Sequence, residues 1–412
     1  MTRYLQPVTM LPDLLRRSSL ETVLDVAFAE QVFTASTVMA RTGHTRSTVL
    51  TACDELVRLG WIAELDDARA AGEYRMGRPA KRYELRRTAG VVVGADVGQS
   101  RVEAVVADLR GAVLAHAEEP VRPDFDDADR DARDRRAAVL RCVTRALADT
   151  GHAASDVLVT TIGVAAPVDA HGRSPNEDDG FWHRMNPGFE EVLAGHGAIV
   201  VENDANLAAI AERARGAGDS FAALLSGERF GTGLIVDGVL LRGAHGGAGE
   251  MRVLALVEGV GTPEGIGAAC RTLAAEALAA GRIAPGSVLA EIAARSALDA
   301  QAVFAAARDG DRVALQIVDQ LGERLAKATI VLASLLDIER VYVAGAIAQP
   351  AAAVIARANA VLGSGAFRPV PEVVASELGP DVVLIGAAQR GLDLVRANPL
   401  ALSLTGRSVS AS

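Results

Sequence analysis

Cysteine is scarce in this 412-residue chain, which contains only Cys53, Cys142 and Cys270. Three widely spaced cysteines provide neither a disulfide framework nor a CxxC metal pair, and they suit a reducing compartment. The sequence also lacks any uninterrupted apolar run of 18 or more residues, so no membrane span is expected. Its first 19 residues carry polar and charged breaks where a signal peptide needs an apolar core. These absences predict a cytoplasmic protein.

The chain is long enough for two or three domains, and its charge is unevenly distributed between them. The net charge is −10, yet residues 1–90 carry 13 Lys and Arg against 11 Asp and Glu. Six of these basic residues lie within Gly72–Arg87, alongside two acidic ones. A basic patch on an acidic body fits a DNA-contacting face. A solvated loop is the alternative, and charge alone does not separate the two.

Apolar periodicity and turn residues predict three helices and then two strands in the first 90 residues. The predicted segments are Leu20–Ala29, Ala35–Arg41, Arg46–Leu59, Trp61–Ala63 and Arg82–Leu85. Thr34 and Thr45 are placed to cap the second and third helices, and Gly43 and Gly60 to end them. Two helices around a tight turn, followed by a β-hairpin, form a winged helix-turn-helix.

The third predicted helix begins with polar residues that its core does not need, namely Arg46, Ser47, Thr48 and, one turn later, Thr51. A DNA major groove admits one α-helix, whose first turns reach base edges. Arg46 can make a bidentate contact to guanine, while the hydroxyl residues suit phosphate or base contacts. Arg78 and Lys81 of the basic segment complete the predicted DNA-binding set. The alternative is a three-helix unit that only packs proteins together.

From Val91 onwards the pattern becomes α/β. Val91–Asp96 is predicted as a buried strand and Arg101–Asp108 as a second strand, before strands and Ala-rich helices alternate. The charge-dense run Asp124–Arg136 is predicted to be a solvated loop and helix start rather than a site. Residues after Pro399 are small and polar and are expected to be frayed.

Several segments together resemble the ROK family of repressors and sugar kinases. The most specific are VENDAN at 201–206, GTGLIVDG at 231–238 and LRGAHGGAGE at 241–250. VYVAGA at 341–346 and VLIGAA at 383–388 are similar to two later family strands, and GRP at 77–79 lies where the family's repressors carry a wing. The resemblance implies an actin-like, hexokinase-type fold with two lobes. Its implied boundaries are 1–88 for the winged helix-turn-helix, 89–200 and 201–400 for the lobes, and 401–412 for a flexible tail.

The resemblance also implies a ligand site. Asn203, Asp204 and Glu250 are expected to contact sugar hydroxyls, and Asp204 would be the general base in a kinase. Its place at a helix start predicts that the helix dipole keeps it ionised. The alternatives are that Asp204 is only a helix cap and that Glu250 is only a surface carboxylate.

The phosphate-binding loops depart from the family's kinase pattern. Kinases of the family carry DxGGT where this chain has Asp96-Val97-Gly98-Gln99-Ser100, and GxGxGxG where it has Gly227–Gly233 with Arg229 in the middle. Glycines in such loops allow close approach of the backbone to phosphate. We interpret Asp96, Gly98, Gly231 and Gly233 as remnants, and we expect no ATP binding.

The family's zinc motif is missing as well. Val253 stands where its histidine is expected, and Gly259–Cys270 contains a single cysteine. A structural zinc ion needs four nitrogen or sulfur ligands. Neither zinc nor another metal is therefore expected. In this register the family's last glutamate, which is also a sugar ligand, corresponds to Cys270.

The sequence therefore predicts a DNA-binding transcriptional regulator, a repressor of sugar-related genes that is not an enzyme. Its expected partners are a double-stranded DNA operator, a sugar or sugar derivative, and further copies of itself as a homodimer or homotetramer. One alternative is an ATP-dependent hexose kinase of the ROK family. Another is a regulator that no longer binds a small effector.

Overall fold

The computed structural model describes residues 10–65, 80–124, 126–175, 180–251, 256–258, 260–262, 264–365 and 368–402. Along the chain it has a small helical unit with a three-stranded sheet, then two five-stranded sheets with helices. This arrangement confirms the predicted fold class. Within these residues, no helix is both long and apolar enough to cross a membrane.

The N-terminal unit has the winged helix-turn-helix order. Its elements are α1 (Met10–Ala29), β1 (Phe33–Thr34), α2 (Ala35–Thr42), α3 (Arg46–Arg58), β2 (Ile62–Leu65) and β3 (Arg82–Leu85). The antiparallel sheet has the order β1-β3-β2. Two features differ from the sequence prediction, since α1 begins ten residues before Leu20 and the two-residue β1 was not expected.

Local side-chain bonds explain why α2 and α3 begin where they do. The Thr34 hydroxyl accepts from the Thr37 amide, and the Thr37 side chain bonds back to the Thr34 amide, which is a capping box. Thr45 caps α3 by accepting from the Thr48 amide. Between the helices, Gly43 adopts φ 72°, a left-handed conformation that glycine reaches without strain. The tight turn is thus encoded locally.

The first lobe is built on a sheet of order β6-β5-β4-β7-β8. Its strands are β4 (Val91–Val97), β5 (Arg101–Asp108), β6 (Val113–Pro120), β7 (Val157–Val164) and β8 (Ala198–Asn203). The β4–β5 and β5–β6 pairs are antiparallel, while β4–β7 and β7–β8 are parallel. The long helix α4 (Ala128–Thr150) packs on β5 and β6, and the short helix α5 (Phe181–Met185) packs beside α4.

The second lobe has a sheet of order β11-β10-β9-β12-β13. Its strands are β9 (Phe221–Leu225), β10 (Gly231–Val236), β11 (Val239–Leu241), β12 (Arg340–Ala344) and β13 (Glu372–Ala375). Its helices are α6 (Asp204–Ala214), α7 (Ile266–Ala279), α8 (Val288–Ala293), α9 (Ala300–Arg308), α10 (Arg312–Leu336) and α11 (Ala352–Ser364).

The last helix, α12 (Val382–Ala397), returns to the first lobe. It packs on β4 and β7 as well as on α6, although its sequence position assigned it to the second lobe. The predicted boundary between residues 200 and 201 falls inside β8. Of the predicted tail, residues 403–412 lie outside the described part of the chain.

The charge-dense run is only partly the solvated segment that the sequence predicts. Asp127 caps α4, and in its first turns Asp131 and Arg135 are each 1 % exposed. Their side chains form an ion pair at 3.6 Å. The prediction was wrong for these two residues because they face inward, whereas most other charged side chains of the helix are exposed.

Candidate ligand cleft and candidate DNA-binding surface

The first turns of α3 present the predicted DNA-contacting residues. Arg46, Ser47 and Thr51 are exposed. Thr48 is partly buried, and its hydroxyl lies 2.9 Å from that of Thr45 at the helix cap. Three of the four predicted residues can therefore approach a groove directly, while Thr48 is partly occupied in forming the helix start.

Lys81 lies immediately before β3 and is engaged within the protein. Its Nζ atom is 2.8 Å from a Glu64 carboxylate oxygen and 3.8 Å from one of Asp54. A phosphate contact by Lys81 would have to compete with these two acids. Arg78, the other predicted wing residue, lies outside the described residues.

Asn203 and Asp204 meet at the junction of β8 and α6, close to the first lobe's sheet. Asn203, not Asp204, caps α6, because its Oδ1 atom accepts from the Asn206 amide at 3.1 Å. Its Nδ2 atom donates to the Ala166 carbonyl oxygen at 3.0 Å. The Asp204 carboxylate is therefore not the cap, and its Oδ1 atom accepts from the Ala205 amide at 2.7 Å.

Two carboxylates from different elements approach one another in this cleft. Burial and the neighbouring charge of Asp96 raise the pKa of Asp204 to about 7. Burial and the charge of Glu103 likewise raise the pKa of Asp96 to about 7. The expectation that the helix dipole keeps Asp204 fully ionised was wrong, because desolvation and repulsion outweigh the dipole here. A carboxyl group poised in this range can both accept and donate a hydrogen bond near neutral pH.

Glu250 reaches the same cleft from the second lobe. Its backbone pairs with Gly231 in an isolated β-bridge, and its charge contributes to the raised pKa of Asp204. A Cβ atom built on Gly231 would lie 3.9 Å from Oδ1 of Asp204, so Gly231, the bridge partner of Glu250, is adjacent to Asp204. The structure thus brings Asp96 and Glu250 close to Asp204, although the three lie far apart in sequence.

The four phosphate-loop remnants occupy different structural settings. Asp96 lies in β4, and Gly98 follows that strand, where its carbonyl oxygen accepts from Arg135 at 2.6 Å. Gly231 and Gly233 open strand β10, so the second loop ends at Phe230. A Cβ atom on Gly233 would collide with the Ala205 carbonyl oxygen. The packing of β10 on α6 therefore requires glycine at 233 independently of any phosphate.

Replacing Gly233 by alanine is expected to destabilise the protein by about 1–3 kcal/mol, since the added methyl group must separate β10 from α6. Urea denaturation followed by circular dichroism measures the change. Gly227→Ala is the matched control, because a Cβ atom there meets open space. Equal stability of the two variants would contradict the packing role.

Arg229 makes a contact across the cleft that the sequence did not predict. It precedes β10 in the second lobe, and its guanidinium lies 3.9 Å from the centre of the Phe181 ring in α5 of the first lobe. This geometry is a cation–π interaction. The substitution of glycine by arginine was visible in the sequence, but its aromatic partner lies 48 positions away and could not be identified.

Cys270, which the sequence register predicts to stand in place of the family's last glutamate, is fully buried in α7. Burial raises the pKa of its thiol to about 12, so it is a neutral side chain of the second lobe's core. Among the described residues, no group of three His, Cys, Asp or Glu side chains is placed to hold a metal ion. Val253 lies outside those residues.

Sequence comparison matches the model of the ROK family to residues 92–391. The glucokinase of Halalkalibacterium halodurans is 28 % identical over 279 residues, covering 62 % of this chain and 80 % of that enzyme. The glucokinase of Streptomyces coelicolor is 28 % identical over 327 residues, covering 73 % of this chain and 96 % of that enzyme.

Two solved structures extend the comparison. A ROK family transcriptional regulator, described as a homologue of the E. coli MLC protein, has a TM-score of 0.72 at 18 % identity and covers 95 % of this chain and 100 % of its own. A ROK family glucokinase from Streptomyces griseus, in complex with glucose and AMPPNP, has a TM-score of 0.57 at 27 % identity. The match covers 75 % of this chain and 100 % of that enzyme's chain. The family match spans both lobes and the cleft between them, and the chain is therefore a member of the ROK family.

Proposed function

We propose that this protein is a DNA-binding transcriptional regulator, a repressor, that senses a sugar or sugar derivative in its cleft. The observation that carries this proposal is the N-terminal unit, α1 to β3, whose described residues are 10–65 and 80–85. It precedes the region matched by the family at residues 92–391. The Streptomyces glucokinases leave about a quarter of this chain uncovered, whereas the regulator structure covers 95 % of it.

The geometry of α3 supports a role in reading DNA. A helix of 13 residues, begun by a threonine cap, exposes Arg46, Ser47 and Thr51 at its first turns. These are the positions from which a recognition helix contacts base edges. Since α3 follows a tight turn after α2 and precedes a hairpin, the unit has the parts of a winged helix-turn-helix.

The cleft supports binding of a small hydroxylated molecule. Asp204 and Glu250 supply carboxylate oxygens that can accept hydrogen bonds from hydroxyl groups, and Asn203 lies beside them. A site built from such groups favours ligands whose hydroxyls satisfy them and rejects analogues that lack the hydroxyls. In the proposal, the ligand changes the closure of the two lobes.

The proposal includes no phosphate transfer, no ATP and no zinc. A kinase cradle needs backbone that can approach phosphate closely, but Arg229 takes a glycine position and its side chain extends across the cleft to Phe181. Gln99 replaces a second glycine, and its carbonyl oxygen faces Arg135. We further propose a homodimer or homotetramer, in which paired recognition helices lie about 34 Å apart, one turn of DNA.

One observation favours the alternative of a hexose kinase. A general base works best when its pKa lies near the working pH, and the pKa of Asp204 is about 7. The glucokinase relatives point to the same chemistry. The two functions differ in whether ATP is consumed.

A coupled assay of ADP release over a panel of hexoses separates these functions. We expect no sugar-dependent turnover from the wild-type protein, because the phosphate cradle is obstructed. Asp204→Asn is the matched control, since it removes the candidate base while leaving contaminating kinases unaffected. Turnover that Asp204→Asn abolishes would overturn the regulator proposal. Calorimetry with the same panel tests the sensor itself, and absence of heat with every sugar favours a regulator without a small effector.

A further inference from the structure

Arg110 of the first lobe bonds to the C-terminal end of α1 in the DNA-binding unit. Arg110 lies in the turn between β5 and β6 and donates to the carbonyl oxygens of Ala27 at 3.0 Å, Phe28 at 2.9 Å and Glu30 at 2.6 Å. The last carbonyls of a helix have no partner within it and carry partial negative charge. A guanidinium with several donors in a fixed fork satisfies them together.

The turn that carries Arg110 is itself fixed. One carboxylate oxygen of Asp108 accepts from the amides of Arg110 at 2.8 Å and Ala112 at 2.9 Å. The connection between β3 and β4 is only five residues long and also bonded, since the Leu109 amide donates to the Arg87 carbonyl oxygen. The unit is therefore joined to the first lobe by a short, hydrogen-bonded connection and not by a flexible linker.

The C-terminal end of α12 contacts the same part of α1. The Arg396 guanidinium lies 5.8 Å from the centre of the Phe28 ring, which in turn packs edge-on against Trp61 at 6.5 Å. Leu392 and Val395 belong to a hydrophobic cluster that also contains Leu24 of α1 and Leu56 of α3. One apolar core thus runs from the last helix of the chain into the recognition helix.

The N-terminal half of α12 packs on α6, the helix that begins with the cleft residue Asp204. A Cβ atom on Gly386 would collide with the carbonyl oxygen of Leu207, so α12 and α6 are in backbone contact. Leu207 is in the first turn of α6, which begins at Asp204. A single helix of 16 residues therefore connects the helix that carries the cleft residues to the DNA-binding unit.

We propose that α12 couples the cleft to the recognition helix within one subunit, and that Arg110 and Arg396 are the positioning residues that make the DNA-binding unit follow α12. The identity of the signal rests on the function proposed above, but the mechanical coupling does not. Any change that shifts α6 against α12 then moves α3 as part of the same body. Because α12 and the DNA-binding unit move together, a small change in the cleft can alter the placement of α3 on DNA.

The two tryptophans of the chain provide a test that needs neither an operator nor a sugar. Trp61 lies in the DNA-binding unit and Trp182 in α5, so Trp182→Phe leaves Trp61 as the sole tryptophan reporter. In full-length Trp182→Phe protein, we expect the thermal transition of Trp61 fluorescence to coincide with that of circular dichroism. Adding Arg110→Ala and Arg396→Ala should lower the Trp61 midpoint by about 5 °C relative to the circular dichroism midpoint.

Arg340→Ala is the matched control, because it removes an exposed arginine that pairs with Glu372 in the other sheet. Arg110→Lys retains one charge and should give an intermediate separation. Separate transitions already present in Trp182→Phe protein, or coincident transitions in the double arginine variant, would overturn the coupling.

A second comparison tests whether a change at Asp204 in the cleft affects the stability of the DNA-binding unit. Asp204→Asn removes a charge that is unfavourably buried beside Asp96, so at pH 8 it should raise the midpoint of circular dichroism. When Asp204→Asn is added to Trp182→Phe protein, the Trp61 midpoint should rise as much as the circular dichroism midpoint. When it is added to the double arginine variant, the Trp61 midpoint should not rise. An equal rise in both backgrounds overturns the role of the two arginines. Protein that passes both comparisons yet ignores DNA would refute the proposed function alone.

Discussion

Replacing Arg135 by methionine is expected to lower the free energy of unfolding by about 3–5 kcal/mol. The guanidinium is 1 % exposed, and it neutralises Asp131, which is equally buried. Removal of one partner leaves the other charge buried without compensation, which is the costly case for a buried ion pair. The same substitution releases the carbonyl oxygens of Gly98 and Gln99, to which Arg135 donates.

Urea denaturation measures this loss as a lower midpoint at unchanged slope. Arg130→Ala is the matched control on the same helix, since the Arg130 side chain is 64 % exposed and its ion pairs are long, so the change should be within about 1 kcal/mol. Joint replacement of Asp131 and Arg135 by leucine and methionine should recover much of the stability. If Arg135→Met proves no worse than Arg130→Ala, the pair is not structurally important.

Replacing Arg46 by alanine is expected to weaken binding to specific DNA by about tenfold to a hundredfold, because a bidentate contact to guanine contributes about 1–3 kcal/mol. Arg46 is the first residue of α3 and is exposed. A duplex selected by the wild-type protein from a random-sequence library provides the specific probe, and a scrambled duplex provides the nonspecific one. Fluorescence anisotropy at fixed salt measures both affinities.

The control for this prediction lies at the other end of the same helix. Arg58 is an exposed arginine paired with Glu55 in the last turn of α3, where a recognition helix points away from base edges. Arg58→Ala should change both affinities by less than about threefold. Equal losses for specific and scrambled DNA in Arg46→Ala would show that Arg46 contacts only the backbone.

The elements predicted accurately from sequence are those whose limits are set by nearby residues. Helices α2 and α3 begin directly after Thr34 and Thr45 because each threonine side chain caps its helix by accepting from an amide three positions later. Gly43 ends α2 through its own left-handed conformation. By contrast, β1 is only two residues long and exists because Phe33 and Thr34 pair with β3 some fifty positions later. Neither residue carries a local signal for this pairing.

The cleft shows the same division. The resemblance located Asn203, Asp204 and Glu250, and the structure places Asp96 and Glu250 near Asp204. The ionisation of Asp204 could not be derived from its helix position, because it depends on burial and on Asp96 in another strand. The contact of Arg229 with Phe181 likewise depends on how the two lobes face each other. The candidate cleft residues could be identified from the sequence, whereas the residues that they contact could be identified only from the fold.

The position of α12 has a consequence for how the protein is made. The N-terminal unit is synthesised before the two lobes, but the helix that completes its core lies roughly 300 residues later. At about 5–20 residues per second, tens of seconds separate their synthesis. During that interval the apolar flank that includes Leu24 and Phe28 lacks the part of its cluster that Leu392 and Val395 contribute. We therefore expect the N-terminal unit to gain its full stability only after α12 has been synthesised.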